Sequence, residues 1–211
     1  MQNLCGNKKR VQSFPYTAFI DAFGLYCNMY RPTTGYYLQF AFLNKSDRKR
    51  QINVFPITLG PFGAKWGDIV AALVHLRDLE FGIDIQLDTG KVVTVCAPCL
   101  AYVGNMPQQQ NNAGCKSQNA KFFCRSCLIG PKDKGNIRYD VVANGRYHYE
   151  MKQNNWVDVF SKIGLADEES PLTTILTPAL CTPLAFPGNG AHSEFKGIAK
   201  QILYVLFTNI I

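Results

Sequence analysis

Three runs rich in aromatic and β-branched residues fill most of positions 13 to 60: SFPYTAFIDAFGLY (13–26), GYYLQFAFLN (35–44) and RQINVFPITLG (50–60). Such residues suit a pleated, half-buried surface, and turn chemistry separates the runs. RPTTG follows the first and the charged NKSDRKRQ the second. The pattern predicts three consecutive strands, the last two joined in a hairpin with a charged tip. GPFGAKWGD then breaks the chain. An amphipathic helix is predicted over about 68–81, with Ile69, Ala72, Leu73, Leu76 and Leu79 near helical spacing. Asp68 is its expected N-cap and Gly82 its expected C-cap. IQLDTGKVV turns through Asp88, Thr89 and Gly90 into a fourth long strand, Lys91 to Val103. The order β-β-β-α-β restricts the architecture to an α/β domain on a mixed sheet.

After Gly104 the character changes. Residues 105–155 are rich in Asn, Gln, Gly and Lys, and read as an insertion into a core begun by residues 1–104. Residues 156–211 read as its helical completion. WVDVFSKIGL (156–165) restores a helical signal, and a last helix is predicted from Ser193, the expected N-cap. There Phe195, Ile198, Ala199, Ile202, Leu203, Leu206 and Phe207 form one apolar stripe. The stripe reaches the last residue without a C-cap, so a truncated chain is expected. At 211 residues and 47% apolar, the chain has material for one sizeable domain with an insertion. No apolar run approaches the ~18 residues of a membrane span, and no membrane partner is expected. MQNLCGNKKRVQS lacks the apolar stretch of a signal peptide. An intracellular, non-secreted location is therefore expected, where eight cysteines read as thiols or metal ligands before disulfides.

The net charge of +7 is placed unevenly. Residues 1–65 carry nine Lys and Arg against Asp21 and Asp47, and residues 66–211 carry 13 of each sign. A one-sided basic excess suits a phosphate backbone; the bland alternative is a solvated surface. Lys45, Arg48, Lys49 and Arg50 at the hairpin tip are the candidate DNA contacts, although a charged tip also discourages edge-to-edge pairing.

Five of the eight cysteines lie between residues 94 and 130, two pairs of them at C-x-x-C spacing. Cys96 and Cys99 ride on the fourth strand, three residues apart, and so face opposite sides of it. They would share a metal only if Ala97 and Pro98 broke the strand into a turn, and they read as core packing or tolerated thiols. Cys124 and Cys127 follow a polar loop, where a tight turn sets two thiolates on one ion. His148 is the natural third ligand of a structural zinc site and Cys115 the best candidate for a fourth, with Glu150 weaker. The alternative is a pair of reduced thiols and a solvated histidine.

Asp21 interrupts an otherwise apolar strand, which is costly unless the carboxylate is paired, bound to a cation or outward-facing. In the RNase H-like arrangement a carboxylate on the first strand meets another at the end of the fourth, and a later helix supplies a third. Together they hold two Mg²⁺ ions for phosphoryl chemistry. The β-β-β-α-β order is the opening of that fold, and the second position falls at Asn105. Glu194 is the candidate third acid; a glutamate there is equally explained by the positive end of a helix.

Six segments in series carry a resemblance: YTAFIDAFGLYCNMYR, FPITLGPFGAKWGDIVAALVHLRDLEFGI, YVGNMPQQQNNAGCKSQNAKFFCRSCLI, NGRYHYE, LTPAL and AHSEFKGI. Over nearly the whole chain they resemble the transposase regions of fungal DNA transposons, in the CACTA-like and KDZ-like groups. The resemblance implies an RNase H-like DDE/D nuclease core, a Cys/His-bearing insertion, Mg²⁺-dependent cleavage and joining of DNA ends, and a nuclear location. The family-like motif would read Gly-Asp-Met-Pro-Gln-Gln-Gln, whereas this chain has Asn105 at the acid position. On this reading Asp21, Asn105 and Glu194 stand at the catalytic positions and the chemistry is impaired by the lost charge. The expected partners are DNA and a second copy of the chain. The alternative is a non-catalytic, zinc-containing DNA-binding or protein-interaction module.

Overall fold

The computed structural model describes residues 10–24, 32–61, 63–117, 119–147, 164–165, 169–180 and 185–188. Within them the strands are β1 (Arg10–Ser13), β2 (Tyr16–Gly24), β3 (Pro32–Phe40), β4 (Phe55–Gly60), β5 (Ile83–Gln86), β6 (Val92–Cys96) and β7 (Cys99–Val103). The α-helical segments are α1 (Lys45–Arg48), α2 (Trp66–Ala72), α3 (Asp78–Phe81) and α4 (Met106–Asn112). The result is a mixed α/β architecture on two mixed sheets. One sheet has four strands in the order β4-β3-β2-β7; the other has three in the order β1-β6-β5. In the larger sheet β4, β3 and β2 are antiparallel neighbours, and β7 joins β2 in parallel. α2 and α3 lie in the long connection from β4 towards that parallel edge, α1 lies between β3 and β4, and α4 follows β7.

The predicted fourth strand, Lys91 to Val103, is two strands in different sheets. Ala97 and Pro98 separate β6 from β7, and Phe14 and Pro15 separate β1 from β2. A proline has no N–H to give a ladder. Here two prolines from distant segments fall at the same level of one parallel pairing. Hydrogen bonds resume on either side of them, from Phe14 N to the Cys96 carbonyl (2.8 Å) and from Tyr16 N to the Pro98 carbonyl (3.0 Å). The parallel pair β1–β6 thus hands over to the parallel pair β2–β7.

Alternation along β2 sorts its faces. Tyr16, Ala18 and Ile20 are buried, joined on the same side by Tyr36 and Leu38 of β3 and Cys99 and Tyr102 of β7. Val70 of α2 and Leu172 and Leu176 of a π-helical turn (Leu172–Leu176) complete this core. Burying each Ile or Leu side chain contributes roughly 1.5–3 kcal/mol.

The helix predicted over 68–81 is divided into α2, a 3₁₀ turn (Val74–Arg77) and α3. Leu73 (φ −97°, ψ 9°) leaves the α-helical region between them. Lys65 rather than Asp68 occupies the N-cap position, and Asp68 sits in the first turn. Gly82 ends the segment at φ +99°, as expected of a helix stop. The charged hairpin connection folds as α1, capped by Asn44, whose side chain accepts from Asp47 N at 2.9 Å. RPTTG is not a separate turn: β3 already begins at Pro32. The helices predicted at 156–165 and from Ser193 onward fall almost wholly outside the described residues.

Candidate functional site

Gly104 follows β7 and closes it against β2. A Cβ there would come within 2.5 Å of the Ile20 carbonyl oxygen, so only glycine allows this approach. The next residue, Asn105, lies beside Asp21 of β2. Its Nδ2 donates to Asp21 Oδ1 at 2.5 Å, and the same oxygen accepts from Ala22 N at 2.9 Å. Asn105 is also the N-cap of α4: its Oδ1 accepts from Gln108 N at 2.9 Å. That second bond fixes which end of the amide faces Asp21. The structure therefore brings Asp21 and Asn105 together just past the last paired residues of β2 and β7, Phe19 and Val103. Glu194 lies outside the described residues.

GNMPQQQNN, which opens the stretch read from the sequence as an insertion, packs on the sheet. Gln109, Gln110 and Asn112 of α4 are buried. Carbonyl partners offset the burial of the Gln109 and Gln110 N–H₂ groups, while Gln109 Oε1 and Asn112 Nδ2 have no hydrogen-bond partner among the described residues. Gln109 Nε2 donates to the Tyr102 carbonyl (2.6 Å), and Gln110 Nε2 to the carbonyls of Lys116 (2.9 Å) and Phe123 (2.7 Å). The Ser170 hydroxyl donates to the Asn112 carbonyl. The sequence signal for this helix was present in Asn105 and Pro107, a capping residue followed by a proline in the first turn.

The second cluster lies beyond α4. Cys124 Sγ accepts from Ser126 N at 3.3 Å, and the Cys127 thiol interacts electrostatically with Cys124. The Cys124 sulfur thus receives an N–H from two residues on, as in a tight C-x-x-C turn. Cys127 bridges Gly145 in antiparallel fashion, with Leu128 N to the Asn144 carbonyl and Arg146 N to the Ser126 carbonyl, both 2.9 Å. The crossing segment is described as far as Tyr147; His148, Glu150 and the chain through 163 lie outside the described residues. Cys115, buried after α4, interacts electrostatically with Cys124. Burial pushes the Cys115 and Cys127 thiols up, and the Arg146 guanidinium opposes this for both. Burial likewise pulls the Arg125 and Arg146 guanidiniums down. Among the described residues no set of three His, Cys, Asp or Glu groups is drawn together tightly enough to hold a metal ion.

Cys96 and Cys99 do sit across a break, as sharing a metal would require, but Cys99 points into the core at 3% exposure. Burial pushes its thiol up to about 12. It is a packing residue. A cavity of about 410 Å³ is lined by Thr34, Trp66, Gln108, Asn111 and Cys115, residues from both neighbourhoods. Lys45, Arg48, Lys49 and Arg50 are exposed around α1, with an ion pair of 3.9 Å between Arg50 and Asp47. They are not at the Asp21 edge. Phe40, where β3 leads towards them, pairs with Tyr16, whereas Gly35 pairs with Asp21. Five residues of strand, about 17 Å, separate the two levels.

No protein-family model matches the chain, and no curated protein matches it significantly.

Proposed function

We propose that this chain is the core of a transposase-like protein with an RNase H-like fold, ancestrally a Mg²⁺-dependent DNA strand-cleaving and strand-joining enzyme, whose own chemistry is impaired at Asn105. The observation that carries this reading is the contact of Asp21 with Asn105 across two neighbouring parallel strands. The strand order, with three antiparallel neighbours and a fourth parallel to the first, supports it. Magnesium would supply charge for activating a nucleophile and stabilising a leaving oxygen. The residues in place do not suit two such ions: one carboxylate faces an amide N–H rather than a second carboxylate, and the cap bond to Gln108 N opposes turning the amide over.

Restoring the acid tests the reading. Asn105→Asp should nick supercoiled DNA in the presence of Mg²⁺ at least about tenfold faster than the natural chain, and Asp21→Asn should abolish the gain. Equal nicking by both chains would sink the mechanism.

The same hydrogen bond favours a second reading, a non-catalytic DNA-binding or interaction module, because Asn105 already supplies Asp21 with a partner. On that reading neither chain nicks, while both bind DNA in a salt-dependent manner. In either case we assign Cys124, Cys127 and His148 to a structural zinc site with Cys115 as fourth ligand. The N–H···S bond at the C-x-x-C turn and the ladder that crosses that turn at Gly145 support this. DNA and a second copy of the chain are the proposed partners, and the nucleus the proposed location.

A further inference from the structure

The buried face of the larger sheet runs on past its core into an exposed aromatic end. Leu38 of β3 is in the core, Phe40 lies on the same face two residues on, and Phe55 of β4 pairs directly with Leu38. Phe40 packs against the margin of the core. Three more rings stand around it: Phe42 at 5.3 Å, Phe55 at 5.4 Å and Phe14 at 6.2 Å between centroids, with Phe14 and Phe42 5.8 Å apart. These are the spacings of favourable tilted and edge-to-face aromatic pairs. The backbone beneath them is fixed. Ala41, between Phe40 and Phe42, donates its N–H to the carbonyl of Pro15, next to Phe14, at 2.8 Å. Yet the outer rings are bare, Phe42 at 54% exposure and Phe55 at 39%.

The same end of the sheet carries four cations. Gln39 Nε2 donates to the Arg48 carbonyl at 2.6 Å and Asn53 Nδ2 to the Asp47 carbonyl at 2.9 Å, so α1 is tied both to β3 and to the segment entering β4. Lys45, Arg48, Lys49 and Arg50 are exposed there. Between Asp21 and Asp68 the sequence holds one acid, Asp47, and its carboxylate is engaged by Arg50 at 3.9 Å and by Asn44 Nδ2 at 2.7 Å. Bare rings beside net positive charge complement a polymer that alternates flat bases with phosphates. An apolar protein face would cover the rings but leave the cations unanswered. A duplex would answer the cations, but its bases are already stacked on one another. We propose that Phe42 and Phe55, backed by Phe14 and Phe40 and flanked by α1, form a stacking platform for single-stranded DNA. The proposal rests on the DNA-binding part of the reading above and is independent of the nuclease part. Bases stack on the two outer rings while phosphates run along the α1 cations, and every base has a π-face, so binding is tolerant of sequence.

The experiment measures binding of the full chain to a fluorescent oligothymidylate and to a duplex of equal length, by anisotropy over a range of salt. The variants are Phe42→Leu, Phe55→Leu, Phe42→Trp and Lys49→Gln. Leucine keeps apolar packing and removes the ring face. The natural chain should prefer the single strand. Each leucine variant should bind it about fivefold or more weakly, as loss of one stacked base does, with duplex binding and the salt slope unchanged. Phe42→Trp should bind the single strand at least as tightly as the natural chain, which a role in packing alone would not produce. Lys49→Gln should weaken both ligands and flatten the salt dependence by about one ion. If the natural chain binds DNA but both leucine variants hold the single strand as tightly, or the duplex is preferred, the platform is overturned and DNA binding stands. Leucine variants that dissociate a dimer while keeping their affinity for DNA would overturn it equally, as would tighter binding of oligouridylate than of oligothymidylate. If the natural chain binds neither DNA, the platform and the DNA-binding reading fall together. Should Phe55→Leu fail to fold, Phe42→Leu carries the same comparison.

Discussion

At position 105 an amide performs two tasks that a carboxylate could not both perform. Its oxygen caps α4 and its N–H₂ group satisfies Asp21. Aspartate is an equally good cap, but it would lose the donor and set two carboxylates against each other. Asn105→Asp should therefore lower stability in EDTA by about 1–3 kcal/mol, the cost of an unmade charged hydrogen bond. Millimolar Mg²⁺ should restore the melting temperature, and Asn105→Ala should show no such response. A variant indifferent to Mg²⁺ would mean that the two side chains cannot share a cation. Cys99 makes a separate prediction. Burial raises its thiol from 9.0 to about 12, so the folded chain holds that proton more tightly than the unfolded one. The stabilisation is complete below the unfolded value and is lost as pH rises towards 12. Urea midpoints should fall between about pH 8 and about pH 10.5, and fall less in Cys99→Ala.

At the scale of elements, the closure of β7 against β2 depends on Gly104. Gly104→Ala should push the strands apart and destabilise the fold by roughly 1–3 kcal/mol, read from denaturant unfolding. The displacement should also loosen the Asp21–Asn105 contact, seen as a changed Asn105 side-chain amide resonance. An unaltered resonance and midpoint would show that β7 tolerates the methyl group. What the sequence disclosed of these elements follows their physics. The strands around Ala18, Ile20, Tyr36 and Leu38 were legible because alternation is written within one segment. The break at Ala97 and Pro98 was not, because it depends on Pro15, more than eighty residues earlier, facing it at the same level. α4 was missed because amide side chains normally mark loops; their burial rests on carbonyls of Tyr102, Lys116 and Phe123, partners no local pattern names. The meeting of positions 21 and 105 was legible from element order alone. The burial of Arg125 and Arg146 was not, although an arginine inside a C-x-x-C spacing was its one visible trace.

Across the whole molecule, the basic residues of α1 and the Asp21–Asn105 contact sit at different levels of the same sheet. DNA held by Lys45, Arg48, Lys49 and Arg50 would meet the acid edge about five base pairs further along, taking about 3.4 Å per pair. The two neighbourhoods proposed for chemistry are joined by α4, whose first turn is capped by Asn105 and whose Gln110 holds the carbonyl of Phe123, next to Cys124. That seam is made of neutral amides. Ionic strength screens charges but leaves such bonds almost untouched. Concentrated salt that strips a polyanion from the exterior would therefore spare the linkage, and a preparation washed free of nucleic acid would still present residue 105 in its working position.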